Sequence, residues 1–124
     1  MKEILNDFIE NLKSNVPGFI AVSVTDVSSG EAYDSFTKDE SFDPNLASAY
    51  NLEVVKAKLK AIEALELNEE IKDITITLSS QVHIINIAPS GAYFVYLAVD
   101  SKDANLGITK ALLNKYKVEL NNAL

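Results

Sequence analysis

Two segments of the chain are almost continuously apolar and rich in β-branched residues: FIAVSVTDV at residues 19–27 and YFVYLAV at residues 93–99. Such runs are typical of strands that are covered on both faces of a sheet. Residues 31–37 and 73–79 alternate apolar and polar side chains, as half-exposed strands do, and residues 82–88 form one further strand. Placing the first and fifth strands at the centre explains this difference and predicts an antiparallel sheet of order 2-1-5-4-3.

Three helices are predicted around these strands, over residues 2–15, 44–67 and 104–121. Pro17-Gly18 ends the first helix. Asp43-Pro44 begins the second, because an aspartate caps free amides and proline is tolerated in the first turn. The last helix carries Ala104, Ile108, Ala111 and Leu112 on one face. The sequence therefore predicts one α/β (α+β) domain spanning residues 1–124, ordered α-β-β-α-β-β-β-α, with helices on both faces of the sheet as in a profilin-like sandwich.

The middle helix carries two apolar stripes, which one sheet cannot cover at the same time. The first is rich in small residues and is predicted to pack on the sheet: Ala47, Tyr50, Val54, Ala57, Ala61 and Leu65. The second has the 3-4-3 spacing of paired helices and is predicted to be a dimer interface: Leu52, Val55, Leu59 and Ile62. The alternative is that the terminal helices cover the second stripe within one chain.

The third strand is predicted to lie at an edge of the sheet, with unpaired backbone groups that natural proteins usually shield. It contains no proline and little charge. Pairing with its own copy would close this edge, so the strand is assigned to the same dimer interface: Ile74, Thr75, Ile76 and Thr77.

Composition argues against catalysis and against several classes of partner. The chain has no cysteine, one histidine (His83), eleven lysines, no arginine and a net charge of −7. No glycine-rich phosphate loop is present, and we expect no catalytic residue, metal or cofactor. Scattered lysines on an acidic chain disfavour nucleic acid and membrane surfaces, and we expect a cytoplasmic protein without membrane insertion. The acidic residues Glu66, Glu69 and Glu70 indicate either a solvated helix end or a contact for a basic partner.

Several local motifs add a family resemblance. PGFIAV at 17–22 leads into the first strand, Ser29-Gly30 forms a hairpin turn, and LAVD at 97–100 is followed by ANLG at 104–107. With the element order, these motifs resemble the roadblock/dynein light chain family across essentially the whole chain. The resemblance implies a homodimer or heterodimer with a ten-stranded sheet, which acts as an adaptor that docks small Ras-like GTPases. Because the chain has no arginine to stabilise charge during GTP hydrolysis, any acceleration would come from positioning the partner's own groups.

Two other functions stay open at this point. One is a dimeric scaffold that joins other proteins without a GTPase partner. The other is a small-molecule sensor of profilin-like fold, for which Tyr93 and Tyr96 are the candidate polar groups among mostly aliphatic core residues.

Overall fold

The computed structural model describes all residues, 1–124. It contains three helices and five strands: α1 (Lys2–Asn15), β1 (Phe19–Asp26), β2 (Ala32–Thr37), α2 (Pro44–Ala64), β3 (Asp73–Thr77), β4 (Gln81–Ile87), β5 (Tyr93–Asp100) and α3 (Leu106–Ala123). The strands form a single antiparallel sheet of order β2-β1-β5-β4-β3, which confirms the predicted fold class and strand order.

The central pair of strands is β1 and β5, as their composition predicts. Val22 lies opposite Leu97 and Val24 opposite Val95, and all four side chains are buried. Gly18 begins this pairing with a φ of +72°, and its carbonyl accepts a hydrogen bond from the Asp100 amide at 2.8 Å. A Cβ at Gly18 would lie 2.9 Å from the Asp100 carbonyl oxygen. Glycine is therefore required by both the backbone conformation and the close approach of β5.

The two faces of the sheet are covered by different helices. Helices α1 and α3 pack together on one face and form the larger core with alternate side chains of the central strands. Helix α2 packs on the opposite face, mainly over β1, β2 and β5. Along β4, Ile84 points towards the two-helix face and Ile85 towards the α2 face. The sheet is thus the middle layer of a three-layer domain.

Helix boundaries differ from prediction at three ends, one of which is the end of α3 at Ala123 rather than residue 121. Helix α2 ends at Ala64 rather than residue 67, and Glu66 adopts a positive φ of 56° just beyond it. Helix α3 begins at Leu106, because Asn105 caps it by accepting a hydrogen bond from the Ile108 amide at 3.1 Å. None of the three helices combines the length and apolar character that crossing a membrane requires.

The buried face of α3 coincides only in part with the apolar face that the sequence pattern indicated. Ala104, just before the helix, and Leu112 do pack against the core, but Ile108 and Ala111 are exposed. The buried residues of the helix recur at intervals of three or four positions: Thr109, Leu113, Lys117 and Leu120. Two of these four are polar, so an apolar pattern alone does not identify the buried face of α3.

Candidate protein interface

The first half of α2 is fixed to the sheet by a cap and by a mixed apolar and polar face. The Asp43 carboxylate accepts hydrogen bonds from the Asn45 and Leu46 amides at 3.0 and 3.1 Å. The Ser48 hydroxyl lies 2.6 Å from that of Thr25 in β1, and Thr25 in turn lies 3.0 Å from the Ser23 hydroxyl. All three hydroxyls are buried, so this chain of hydrogen bonds sets the rotation of α2 about its axis.

This rotation shows that the predicted orientation of α2 was wrong. Leu52 and Val55, predicted to face a partner chain, are 7% and 0% exposed and pack on the chain's own sheet. Tyr50 and Leu65, predicted to face the sheet, are 71% and 67% exposed. At 3.6 residues per turn the error is about a third of a turn. It arises because both stripes are apolar and because the buried face includes the polar Ser48 and Asn51.

The second half of α2 extends past the part of the sheet that could cover it. Every side chain from Lys56 to Ala64 is exposed except those of Ala61 and Ile62, which are half-buried. Leu59, assigned to the interface from the sequence, is partly exposed here. Apolar side chains continue along one flank of the helix, whereas Glu53, Lys56 and Lys60 share the other. We call the apolar flank the α2 flank and define it by its residues: Leu46, Tyr50, Val54, Ala57, Ala61 and Leu65.

The β3 edge is unpaired within the chain, because β3 is the last strand of the sheet and pairs only with β4. Ile74 and Ile76 point towards the α2 face and are half-buried. Thr75 and Thr77 point towards the α3 face. Helix α2 lies mainly over β1, β2 and β5. Ile74 and Ile76 therefore lie on the same face of the sheet as α2, in the part of that face that α2 covers least.

The predicted acidic contact lies in the segment between α2 and β3. Glu66, Glu69 and Glu70 are all exposed, and none forms an ion pair. Such a position leaves their charges in water and accessible to a partner.

His83 lies in a cluster of aromatic and polar side chains on the α2 face. Its Nδ1 is 3.2 Å from the Tyr96 hydroxyl, and its Nε2 is 2.8 Å from the Gln81 side-chain oxygen. Phe42 stacks on Tyr96 with ring centroids 6.5 Å apart. Burial lowers the pKa of His83 and raises that of Tyr96. With both ring nitrogens engaged by neutral groups, His83 has the contacts of a structural residue, and no group of three or more acidic, histidine or cysteine side chains is placed to hold a metal ion.

Comparison with solved structures identifies the fold. Myxococcus xanthus MglB superposes with a TM-score of 0.82 at 15% sequence identity, over 98% of this chain and 87% of that one. A roadblock/LC7 domain from Streptomyces avermitilis gives a TM-score of 0.79 at 10% identity, over 92% of each chain. The chain has the roadblock/LC7 fold. A structure of MglB with a tetrameric arrangement superposes on this roadblock/LC7 fold with a TM-score of 0.77 at 13% identity, over 98% of this chain and 87% of that one.

Comparison of the sequence alone does not assign this chain to a family. No protein-family model matches it, and no curated protein does. The similarity to MglB is therefore a similarity of fold, which the predicted strand order agrees with. The α2 flank and the β3 edge are described from the residues of this chain alone.

Proposed function

We propose that the chain is a non-catalytic adaptor that forms a homodimer and docks onto a small Ras-like GTPase. The observation that carries the homodimer is the α2 flank, a row of apolar side chains along the side of the helix that does not pack on its own sheet. Tyr50 and Leu65 are mostly exposed on this flank. Contiguous exposed apolar patches usually mark interfaces.

Burial of these side chains in a partner would stabilise the association. Removing one large apolar side chain from water is worth about 1.5–3 kcal/mol. Tyr50, with Leu46 one turn earlier on the same flank, is a suitable anchor, because tyrosine contributes a large rigid surface and a polar tip. A two-fold axis makes a single patch self-complementary, so one flank on each chain is enough to form the dimer.

The β3 edge supports the same arrangement. Antiparallel pairing of β3 with its copy would satisfy the unpaired backbone groups of both strands and join two five-stranded sheets into one of ten strands. Because Ile74 and Ile76 face the same side as α2, this pairing would continue the apolar surface from one chain to the next. In this proposal the four β3 residues and Leu59 and Ile62 remain interface residues, whereas Leu52 and Val55 belong to the core of each chain.

Solution mass tests the homodimer most directly. We expect light scattering to give about twice the 13.6 kDa of one chain. Tyr50→Glu places a charge on the α2 flank and should yield a folded monomer. Val118→Glu is the matched control, because Val118 is an exposed apolar residue on α3, on the opposite face. A wild-type monomer at high concentration, or equal dissociation by both variants, would contradict the proposed interface.

The GTPase part of the proposal rests on the fold and on the family resemblance of the sequence. Glu66, Glu69 and Glu70 are the proposed contacts, since three exposed carboxylates attract a basic surface. Without an arginine, the adaptor would act on nucleotide hydrolysis only by positioning groups of the GTPase.

A binding experiment separates this function from that of a scaffold. A small Ras-like GTPase from the same organism, loaded with GDP or a non-hydrolysable GTP analogue, is titrated with the chain by calorimetry. We expect the two nucleotide states to bind with different affinities. The triple change of Glu66, Glu69 and Glu70 to glutamine should weaken binding, whereas neutralising Glu3, Asp7 and Glu10 on α1 should not. A stable dimer that binds neither state would favour the scaffold.

A further inference from the structure

Helix α3 buries a lysine that no carboxylate neutralises. Lys117 is 5% exposed, and its ammonium group donates hydrogen bonds to the Asn86 side-chain oxygen and, at 3.5 Å, to the Ile87 carbonyl. The two ion pairs of the chain lie elsewhere, between Lys13 and Glu10 and between Lys110 and Asp73. Both acceptors of Lys117 are therefore neutral, and its charge has no counter-ion within the chain.

An ammonium group in such a position is unusual, because a buried charge is costly unless it is paired. Most buried lysines in folded proteins have a partner of opposite charge. The same burial lowers the pKa of Lys117. The residues around it offer hydrogen bonds, but they leave the electrostatic cost of the charge largely uncompensated.

Lys117 lies at the wall of an open recess of about 260 Å³ between α3 and the ends of β3 and β4. Liquid water occupies about 30 Å³ per molecule, so this space is large enough for a molecule of several heavy atoms. Other potential donors border it: the amide nitrogen of Asn114 on α3, whose side-chain oxygen accepts a hydrogen bond from Asn86 at 3.5 Å, and the Lys72 ammonium group before β3. A negatively charged group in the recess would have cations and amide donors around it.

The acidic residues at the recess limit what the ligand can be. Asp73 is paired with Lys110 at 3.2 Å, but Glu70 is exposed and has no cation. With Asp73 neutralised by Lys110, the recess keeps two cations, Lys72 and Lys117, against the single carboxylate of Glu70, so an anion of charge −1 balances the charge that remains. The charges at this recess therefore favour an anion of charge −1 with oxygen acceptors.

We propose that this recess binds a small monocarboxylate, with Lys117 supplying the positive charge. The ligand carboxylate accepts hydrogen bonds from Lys117 and Asn114, and Lys72 adds a second cation at the edge. The recess opens on the α3 side of the sheet, whereas the α2 flank lies on the opposite face. The site requires neither the dimer nor the GTPase, although Glu70 at its edge is also one of the proposed GTPase contacts, and it supplies the ligand-binding role that the sensor alternative required.

Thermal unfolding of the full chain in acetate, propionate or phosphate, with chloride at equal ionic strength as reference, tests this site. We expect acetate and propionate to raise Tm by several degrees in a saturable manner, as a ligand that binds only the folded state does. Phosphate at pH 8, where it is mostly dianionic, should have a smaller effect. Lys117→Met retains an unbranched side chain only one atom shorter and removes the charge, and it should weaken carboxylate binding at least about tenfold. Lys102→Met, at an exposed lysine before α3, is the matched control.

Side-chain amide resonances of Asn86 and Asn114 give a second readout that does not depend on any variant folding. They should shift with added acetate in the wild type and saturate at the concentration that saturates the Tm. The absence of a saturable shift would overturn the proposal, as would equal acetate affinity in the Lys117→Met and wild-type chains. An effect that depends on protein concentration rather than on acetate would assign the counter-ion to a second copy of the chain and would also overturn it.

Discussion

Two helices, α1 and α3, cover one face of the sheet, whereas α2 alone covers the other. The two-helix face buries a core of 17 residues and the α2 face a core of 8, and seven partly buried apolar residues pack against each. A single helix about 10 Å across cannot cover five strands that lie about 4.8 Å apart. The difference shows that the first face is complete within one chain and that the second would gain most from a partner.

The largest effect expected from this comparison is on α2. Val55→Asp should prevent folding, because Val55 is fully buried and an unpaired carboxylate there costs several kcal/mol, a large part of the roughly 5–15 kcal/mol stability of a typical domain. Leu59→Asp, one turn further along, should leave a folded chain, since Leu59 is already 38% exposed. Far-ultraviolet circular dichroism and urea unfolding distinguish the two.

The same pair of variants tests the orientation of α2. If both variants fold, α2 is rotated as the sequence first indicated, because that orientation places Val55 and Leu59 together on the outward stripe. In the dimer proposal, Leu59→Asp has one further consequence, which is a solution mass close to that of a single chain.

The second prediction concerns the two-helix face, where packing of α3 on the sheet is complete. Leu113→Ala should lower the free energy of unfolding by about 2–5 kcal/mol, because Leu113 is fully buried and its truncation leaves a cavity. Urea denaturation measures this loss. Ile108→Ala on the same helix is the control, since Ile108 is 50% exposed and should contribute about 0.5 kcal/mol or less. Equal losses would mean that α3 is not seated as described.

The strands were easier to predict from the sequence than the faces of the helices. β1 and β5 are buried on both sides, and this constraint leaves an unbroken apolar run that hardly any other structure produces. For α2 the sequence offers two apolar stripes of similar strength, and hydrophobicity alone does not choose between them. The choice is made by Ser48, whose hydroxyl bonds to Thr25, a residue 23 positions earlier in the chain. A tertiary contact between two polar side chains has no periodic signal.

Lys117 was missed for a related physical reason. Lysines are almost always exposed, so a lysine within an amphipathic helix is read as part of its solvent side. Its burial depends on Asn86 in β4, 31 residues away, which supplies the acceptor. The register of Thr109, Leu113 and Leu120 could have placed Lys117 on the inner face of α3, because all four recur at helical intervals.

The smallest expected effect concerns Asp26, which holds a hairpin on the α2 face through hydrogen bonds, whereas the other face is held by apolar packing. The hairpin between β1 and β2 lies under α2, where a Cβ at Gly30 would come within 3.0 Å of Leu52. Asp26 holds this hairpin by accepting hydrogen bonds from the hydroxyls of Ser28 and Ser29, each at 2.7 Å, and from the Ser29 amide at 2.8 Å. These bonds, those from Ser29 and Ser28 above all, lower the pKa of Asp26 from 3.8 to about 2.

A lowered folded-state pKa means that the ionised carboxylate contributes stability above pH 3.8, and that this contribution is lost as the pH falls through about 2. We expect the Asp26 carboxyl carbon to titrate with a midpoint near pH 2 by NMR, and the amide of Ser29 to lose protection from hydrogen exchange over the same range. Asp26→Asn should remove this pH dependence while leaving exchange at Leu113 unchanged. If protection at Leu113 fell together with that of the hairpin, the two faces would unfold as one unit, and the contrast between them would be one of covered area alone.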